Sequence, residues 1–347
     1  MYRYLIRPVL FTIPPETIHK LIVCILKWLN ILPGFNWVMK QIFINDKSAA
    51  DIVFCGLKFK SPVGLAAGFD KNAEIFNEFA NFGFGFIEIG TVTPKAQPGN
   101  PKPRLFRLNK DNALVNRMGF NNKGVDYVVQ NLKKARKSGL IIGGNIGKNT
   151  TTPNNLAAGD YEFCFEKLYN YVDYFVVNVS CPNISNLSEL QDPESLEEIL
   201  VRLVNSRKKK DVYKPVLLKI SPDLTFQKID EIIGIYFKTG IDGIVATNTS
   251  IGRNNLITDT DKIKHIGKGG LSGKPLTEIS TSIIRYISEK SENKIPIIGV
   301  GGIMTIKDAI EKIEAGASLV QVYSGFIYEG PFIVNKLNKA LLQLMKN

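Results

Sequence analysis

From residue 61 onward, short apolar runs rich in β-branched residues alternate with helical patterns, and this alternation restricts the fold more than any other feature. Eight such runs lie at 63–68, 84–91, 140–147, 174–180, 215–221, 241–248, 295–301 and 318–324. The helical patterns lie at 72–82, 122–138, 157–171, 193–209, 226–238, 276–290, 305–315 and 331–345. Strands that are apolar throughout are typical of a parallel sheet covered on both faces. The pattern predicts an α/β fold, a (β/α)8 TIM barrel with an N-terminal helical hairpin.

The length of the chain fits one barrel with an appendage. The sequence has 347 residues, of which 44% are hydrophobic, and this is enough apolar material for one large core. A barrel of about 250 residues counts as a single domain. We therefore expect residues 1–40 to form a separate N-terminal segment and residues 41–347 to form the barrel domain.

The N-terminal segment contains two apolar stretches that are separated by Pro14 and Pro15. Pro15 is well placed to begin the second helix. Charged residues such as Glu16 and Lys20 interrupt any apolar run of about 18 residues, which argues against a conventional transmembrane span and a signal peptide. Residues 1–40 are therefore predicted to be a cationic amphipathic hairpin that inserts into one leaflet of an anionic membrane. A helix pair packed on the barrel or on another subunit is the alternative.

The net charge limits the kinds of binding partner, and the cysteines and histidines limit the cellular compartment and the metal sites that are expected. The formal net charge of +12 suits an anionic membrane surface or an acidic small substrate, and a lysine-rich solvated surface without a partner is the alternative. Nucleic acid is the weakest option, because no RNA-binding signature or block of like charges is present. The four cysteines contain no C-x-x-C pair, which fits a reducing compartment. No metal site is expected, because the two histidines, His19 and His265, lie beside no cluster of cysteines or carboxylates.

Polar residues and one glycine gather where the predicted strands end. They are Lys71, Thr91, Asn145, Asn178, Lys219, Asn248, Gly301 and Tyr323. In a (β/α)8 barrel these ends share the catalytic face. The glycines of GVGGI (299–303) and VYSGF (322–326) follow strands seven and eight, where barrels often bind a phosphate group. The asparagines suit a small planar substrate with carbonyl and ring N–H groups, because amides both donate and accept hydrogen bonds.

Two reactive side chains lie at these strand ends. Cys181, in the NVSCPN turn, is a better candidate for an acid, a base or a nucleophile than Cys164, which lies in a helical pattern. A free cysteine is otherwise most often a small buried hydrophobe. Lys219 has apolar neighbours in VLLKIS, which favours a position inside the barrel mouth over a surface position.

The motifs together resemble the dihydroorotate dehydrogenase family along nearly the whole chain. They include AAGFDKN, NRMGFNN, NVSCPN, LLKISPDL, GGLSGKPL and LVQVYSGF. The N-terminal helical pair and the NRMGFNN motif are similar to the membrane-associated, quinone-dependent class (class 2). The resemblance implies oxidation of (S)-dihydroorotate to orotate in de novo pyrimidine (UMP) biosynthesis, with FMN as the hydride acceptor and a membrane quinone as the final acceptor. It also implies that residues 1–40 provide the quinone tunnel.

The resemblance implies the site residues one by one. For FMN these are Ala67, Gly68, Phe69, Asp70, Lys71, Thr91, Asn145, Asn178, Lys219, Thr247, Gly273, Gly302, Tyr323 and Ser324, with the phosphate near Gly302 and Ser324. For the substrate they are Lys71, Asn116, Arg117, Met118, Gly119, Phe120, Asn178, Asn183, Asn248 and Thr249.

The position of the catalytic base departs from the quinone-dependent class. That class typically has serine there, whereas this chain has Cys181, as the soluble class does. Alignment of the Pro-Asn pair excludes Ser180 from this role. A thiol, with a reference pKa of about 8.5, is closer to neutrality than an aliphatic hydroxyl and is chemically suited to remove a proton.

Three alternatives are open. A soluble dihydroorotate dehydrogenase that uses fumarate or NAD is favoured by Cys181 but not by the hairpin. A tRNA-dihydrouridine synthase-like barrel would share FMN, a cysteine and a basic charge. A catalytically silent membrane-bound barrel is the non-enzymatic alternative. The absence of an Arg- and Ser-rich transit segment favours a peripheral protein on the cytoplasmic face of the bacterial cell membrane.

Overall fold

The computed structural model describes residues 2–44, 52–133, 139–180, 190 and 192–346. The strands are β1 (Ile52–Phe54), β2 (Leu57–Phe59), β3 (Val63–Leu65), β4 (Phe86–Val92), β5 (Leu105–Leu108), β6 (Ala113–Asn116), β7 (Ile141–Ile146), β8 (Tyr174–Asn178), β9 (Val216–Ile220), β10 (Gly243–Ala246), β11 (Gly270–Gly273), β12 (Ile297–Val300) and β13 (Leu319–Val322). The α-helices are α1 (Arg7–Thr12), α2 (Pro15–Leu29), α3 (Phe35–Phe43), α4 (Phe76–Ala80), α5 (Val125–Leu132), α6 (Ala157–Leu168), α7 (Pro193–Lys208), α8 (Phe226–Thr239), α9 (Thr260–Ile266), α10 (Thr277–Lys290), α11 (Ile306–Glu314), α12 (Ser324–Glu329) and α13 (Phe332–Leu344). A π-helical turn, Tyr2–Ile6, precedes α1.

Eight parallel strands close the predicted barrel in the order β3-β4-β7-β8-β9-β10-β12-β13. Each predicted apolar run contains one of these strands, so the predicted TIM barrel is confirmed. Several strands end before the predicted run does. For example, β3 ends at Leu65 and β10 at Ala246. Residues after these points, such as Gly68 and Thr247, line a cavity at the mouth instead.

The interior of the barrel is filled with large apolar side chains at its amino end. The antiparallel hairpin β1–β2 lies there, and its Phe54 and Phe59 pack in one cluster with Phe86 and Tyr174 of the barrel strands. The rings of Phe59 and Phe86 meet edge to face, with centroids 5.3 Å apart. This packing closes one end of the barrel and leaves the other end for ligands.

A small antiparallel sheet of the order β11-β6-β5 is attached to the barrel mouth. It was not predicted, because the long connection after the second barrel strand is rich in Pro, Gly and Asn and indicated only a functional loop. Asn116, at the end of β6, donates a hydrogen bond to the Gly270 carbonyl at 3.2 Å. The sheet therefore places the NRMGFNN motif beside the carboxyl ends of the barrel strands.

The N-terminal helices pack on the barrel and also present an apolar outer surface. Pro15 begins α2, as predicted, and Ile18 and Leu26 bury one face of that helix. Tyr4, Trp28 and Ile31 are 81%, 73% and 77% exposed. In the described residues no single helix is long and apolar enough to cross a membrane, although the bent pair Tyr2–Thr12 and Pro15–Leu29, at 112°, has the required length and composition.

Two carboxylates attach α2 to the barrel. Glu16 receives paired hydrogen bonds from Arg104 at 2.9 and 3.1 Å. Glu74 accepts from Lys27 of α2 at 2.7 Å and from Lys123 at 2.7 Å. Burial raises the pKa of Glu74, but the hydrogen bonds from Lys123, Lys27 and Tyr127 outweigh it and lower the pKa to about 2. The carboxylate is therefore charged at neutral pH and holds the helix in place.

Candidate active site

The carboxyl ends of the barrel strands surround a cavity with about 1090 Å³ of empty space that is open to solvent. Its place at the carboxyl ends of the strands makes this cavity the candidate ligand site. Most of the predicted site residues line it: Ala67, Gly68, Lys71, Thr91, Asn116, Met118, Gly119, Phe120, Asn178, Lys219, Thr247, Asn248, Thr249, Gly273, Gly302, Tyr323 and Ser324. Residues from distant parts of the chain thus meet at one face.

Four predicted residues lie behind or beside this lining. The fully buried Asn145 lies behind Thr91, and the Asp70 carboxylate accepts from the backbone N–H groups of Glu74 and Ile75 at 2.7 and 2.8 Å. Burial raises the pKa of Asp70 to about 6. The side chains of Phe69 and Arg117 also have partners away from the lining. Phe69 packs edge to face on Phe79, and Arg117 donates to the carbonyls of Pro103 and Ile266.

The candidate base Cys181 and the candidate substrate ligand Asn183 lie outside the described residues. The preceding Ser180 is buried at the end of the same strand run. Its hydroxyl donates to the Lys219 carbonyl at 2.9 Å and accepts from Asn248 Nδ2 at 3.0 Å. The Ser180 hydroxyl therefore connects the end of β8 to β9 and to Asn248.

A chain of hydrogen-bonded amides connects three strands at the cavity wall. Asn248 Nδ2 donates to Asn178 Oδ1 at 3.1 Å, and Asn178 Nδ2 donates to Thr91 Oγ1 at 2.9 Å. Thr91 Oγ1 donates in turn to Asn145 Oδ1 at 2.5 Å. Each amide is held in one orientation by its neighbour, so the groups that face the cavity are preorganised to receive a polar ring.

A buried ion pair lies at the floor of the cavity. Lys219 Nζ is 3.4 Å from Glu88 Oε1, and the two side chains are 6% and 0% exposed. Asn145 donates to Glu88 Oε1 at 2.8 Å and Gln321 donates to Glu88 Oε2 at 2.7 Å. Neither Glu88 nor Gln321 was predicted. The one signal in the sequence was an acidic residue within the otherwise apolar run FGFIEIGT.

The opposite end of the cavity is made of glycine turns and hydroxyl groups. Gly302 has φ +72°, and a Cβ there would lie 2.2 Å from the backbone nitrogen of Thr277, so no other residue fits without movement of the backbone. Ser272 and Ser324 share a hydrogen bond of 2.9 Å. Lys71 and Lys219 line the cavity, whereas no carboxylate among the described residues does. This arrangement favours anionic ligands.

A second cavity, with about 1460 Å³ of empty space, lies between α2 and the barrel. It shares five residues with the first cavity: Gly68, Lys71, Leu105, Met118 and Tyr323. Burial, followed by the charge of Lys71, lowers the pKa of His19 to about 4, so this imidazole is neutral at pH 7. Arg107 Nε is buried without a hydrogen-bond partner in the part of the chain that the structure describes.

Comparisons with known proteins agree over nearly the whole chain. The family profile for dihydroorotate dehydrogenase matches residues 50–345. A protein of Christiangramia forsetii named dihydroorotate dehydrogenase (quinone) is 54% identical over 344 residues, which cover 99% of each chain. A protein of Coxiella burnetii with the same name is 47% identical over 342 residues, covering 97% of this chain and 95% of that protein.

Solved structures agree as well. The crystal structure of the Eimeria tenella enzyme DHODH in complex with ferulenol has a TM-score of 0.84 at 35% identity, covering 96% of this chain and 92% of the other. The ligand-free form from the same organism has a TM-score of 0.81 at 36% identity, covering 89% and 92%.

The ion pair at the cavity floor predicts a pattern of stabilities. We expect Glu88→Leu to lower the free energy of unfolding by about 3–5 kcal/mol, because it leaves the Lys219 ammonium buried without its anion. The double variant Glu88→Leu with Lys219→Met should be more stable than Glu88→Leu alone. Urea unfolding of the single and double variants measures the coupling. Strictly additive losses would show that the two charges do not depend on each other.

Proposed function

The chain belongs to the dihydroorotate dehydrogenase family, and on that premise we propose that it oxidises (S)-dihydroorotate to orotate in pyrimidine biosynthesis, with FMN as the hydride acceptor and a quinone as the final electron acceptor. The main support is the 54% identity to a quinone-type enzyme over 99% of both chains, because this match includes the N-terminal helices. The cavity agrees, since it combines ordered amides, two lysines and glycine turns.

FMN fits the residues that form the cavity. Lys219 and the amide chain lie at one end, where a ring with carbonyl and N–H groups can be bound, and the turn at Gly302 with Ser324 lies at the other, where a phosphate can be bound. Gly68 has φ +97°, a backbone conformation that residues with a side chain rarely adopt, so this part of the wall is bare backbone that a flat ligand can approach. When bound, FMN supplies a ring that accepts a hydride.

The residues of the chain bind the substrate and remove its proton. We assign the carboxylate and ring amides of dihydroorotate to Lys71, Asn116, Asn178, Asn183 and Asn248. Lys71 Nζ donates to Asn121 Oδ1 at 2.5 Å, which holds the ammonium at the border of the two cavities. Cys181, assigned by the family resemblance, is the base that removes a proton from the substrate carbon adjacent to the one that loses the hydride.

The second cavity is the proposed quinone site. It is bordered by α2, and it adjoins the first cavity at Tyr323 and Met118. The Arg107 guanidinium lines this cavity, and its N–H groups are suited to donate a hydrogen bond to a quinone carbonyl. We propose that residues 1–40 form this access route and insert their exposed apolar face into the cytoplasmic leaflet of the bacterial cell membrane.

An anaerobic experiment separates this function from its alternatives. We expect dihydroorotate to bleach the flavin absorbance of the purified protein, and a soluble quinone analogue to restore it faster than fumarate or NAD does. No bleaching would contradict the reaction. Restoration by fumarate or NAD alone would instead support the soluble-type acceptor to which Cys181 points.

The assignment of the base predicts the behaviour of Cys181 variants. Cys181→Ala should slow flavin reduction by dihydroorotate by about 100-fold or more, because general base catalysis is lost, while the FMN content stays unchanged. Cys181→Ser should regain rate as the pH rises, since a hydroxyl is a weaker acid than a thiol. Cys55→Ser is the matched control, because its thiol lies beside Asp242 at the other end of the barrel. Equal rates in Cys181→Ala and wild type would refute the assignment.

The proposed membrane insertion predicts that membrane binding can be lost without loss of the reaction with dihydroorotate. The affinity of the double variant Trp28→Glu with Ile31→Glu for vesicles of phosphatidylglycerol and phosphatidylcholine should fall about tenfold or more, because two exposed apolar side chains no longer enter the lipid. Reduction by dihydroorotate should be unaffected. Val212→Glu, at a residue that is 63% exposed on the barrel, is the control. Unchanged vesicle sedimentation of the double variant would contradict insertion through this face.

A further inference from the structure

Lys312 of α11 is a fully buried lysine that the proposed reaction does not use. Its Nζ donates to the backbone carbonyl of Thr277 at 2.8 Å and also hydrogen-bonds Thr281 Oγ1. Lysine is almost never fully buried unless it is paired with an anion. Within the described ranges, however, Lys312 forms no salt bridge.

The nearest acidic residues on α11 have other partners. Asp308 accepts hydrogen bonds from the backbone N–H groups of Met304 and Thr305 at 2.8 and 2.7 Å, as part of the capping box that begins the helix. Glu311 pairs with Lys307 at 3.7 Å. Both carboxylates contribute charge at a distance, but neither neutralises the Lys312 ammonium by contact.

Thr277 connects this ammonium to the glycine turn of the first cavity. Its Oγ1 donates to the Gly302 carbonyl at 2.8 Å, while its own carbonyl accepts from Lys312. A Cβ at Gly299, in β12, would lie 3.4 Å from Lys312 Cβ, so the lysine stem also packs under the strand that leads into the turn. Lys312 itself does not line the cavity.

The electrostatics of this position suit an anion on the far side of the turn. Burial lowers the pKa of Lys312 to about 8, while the charges of Asp308 and Glu311 act to raise it. In most molecules Lys312 is therefore still protonated at neutral pH. A buried charge acts over longer distances than an exposed one, because little water screens it. A phosphate at Gly302 would supply the negative charge that Lys312 otherwise lacks.

We propose that Lys312 is a positioning residue for the phosphate group of FMN, acting from behind the Gly302 turn through Thr277. The inference rests on the proposed function, since it requires FMN in the first cavity. Lys312 touches neither the cofactor nor the substrate. Its positive charge and its hydrogen bond to Thr277 together make the turn selective for a ligand with a phosphate over the same ligand without one.

The test compares FMN with riboflavin, which differ only in the phosphate. The purified holoenzyme is dialysed against a mixture of the two flavins, and the bound ratio is measured by chromatography after denaturation. We expect the preference for FMN to fall about tenfold in Lys312→Gln, which loses the charge, and further in Lys312→Met, which loses the charge and the hydrogen bond. Lys312→Gln keeps a hydrogen-bond donor and separates the charge from the hydrogen bond.

The controls distinguish charge from damage to the fold. Lys307→Met removes an 84% exposed ammonium from the same helix and should leave the ratio unchanged. Lys312→Arg, which keeps the charge, should retain most of the preference. General destabilisation weakens the binding of both flavins and leaves their ratio unaltered. Variants that bind FMN and riboflavin in the wild-type ratio would overturn the inference while leaving the proposed function intact. A wild-type protein that binds neither flavin would overturn both.

Discussion

The buried pair of Lys219 and Glu88 organises the floor of the barrel mouth. A lysine that faces into a barrel is costly to bury, and the Glu88 carboxylate, 3.4 Å away, makes that position stable. The same carboxylate accepts from Asn145 on the neighbouring strand β7 and from Gln321 on β13, which is two strands away in the other direction. Asn145 also begins the chain of hydrogen bonds that continues through Thr91 and Asn178 to Asn248. One buried anion therefore orients polar groups on several strands at once.

The charges of the cavity follow from this arrangement. Glu88 and Lys219 offset each other at the floor, Lys71 is the second lysine of the lining, and no carboxylate among the described residues lines the ligand space. The proposed substrate and the phosphate of the proposed cofactor are both anionic. At the outer wall the charges have a different role, because Glu16 and Glu74 form ion pairs with basic residues and hold α2 over the second cavity. Charge thus serves ligand selection at one place and attachment of the N-terminal helices at the other.

The barrel and most of the cavity lining could be predicted from the sequence because both depend on local patterns. Continuous apolar runs identified the strands, and polar residues at the ends of those runs identified the lining. The sheet β11-β6-β5 could not be predicted, since its strands are short and Asn116 of β6 lies 154 residues before Gly270 of β11. Glu88 was missed for a related reason: its partners Lys219 and Gln321 lie 131 and 233 residues away. Phe69 and Asp70 are buried and line the second cavity instead of the first, because of the turn after β3, which the motif AAGFDKN does not reveal.

The sequence by itself determined the fold class, the start of α2 at Pro15 and the family, because apolar periodicity, proline and motif spacing are properties of contiguous residues. The tertiary structure decided which polar residues share a cavity, which carboxylate neutralises Lys219, and that a second cavity adjoins the first beneath α2. These features depend on the closure of the barrel, which brings Gly68, Lys219 and Tyr323 to one mouth. Burial and charge pairing at that mouth are set by distances between residues far apart in the chain, and no local pattern encodes such distances.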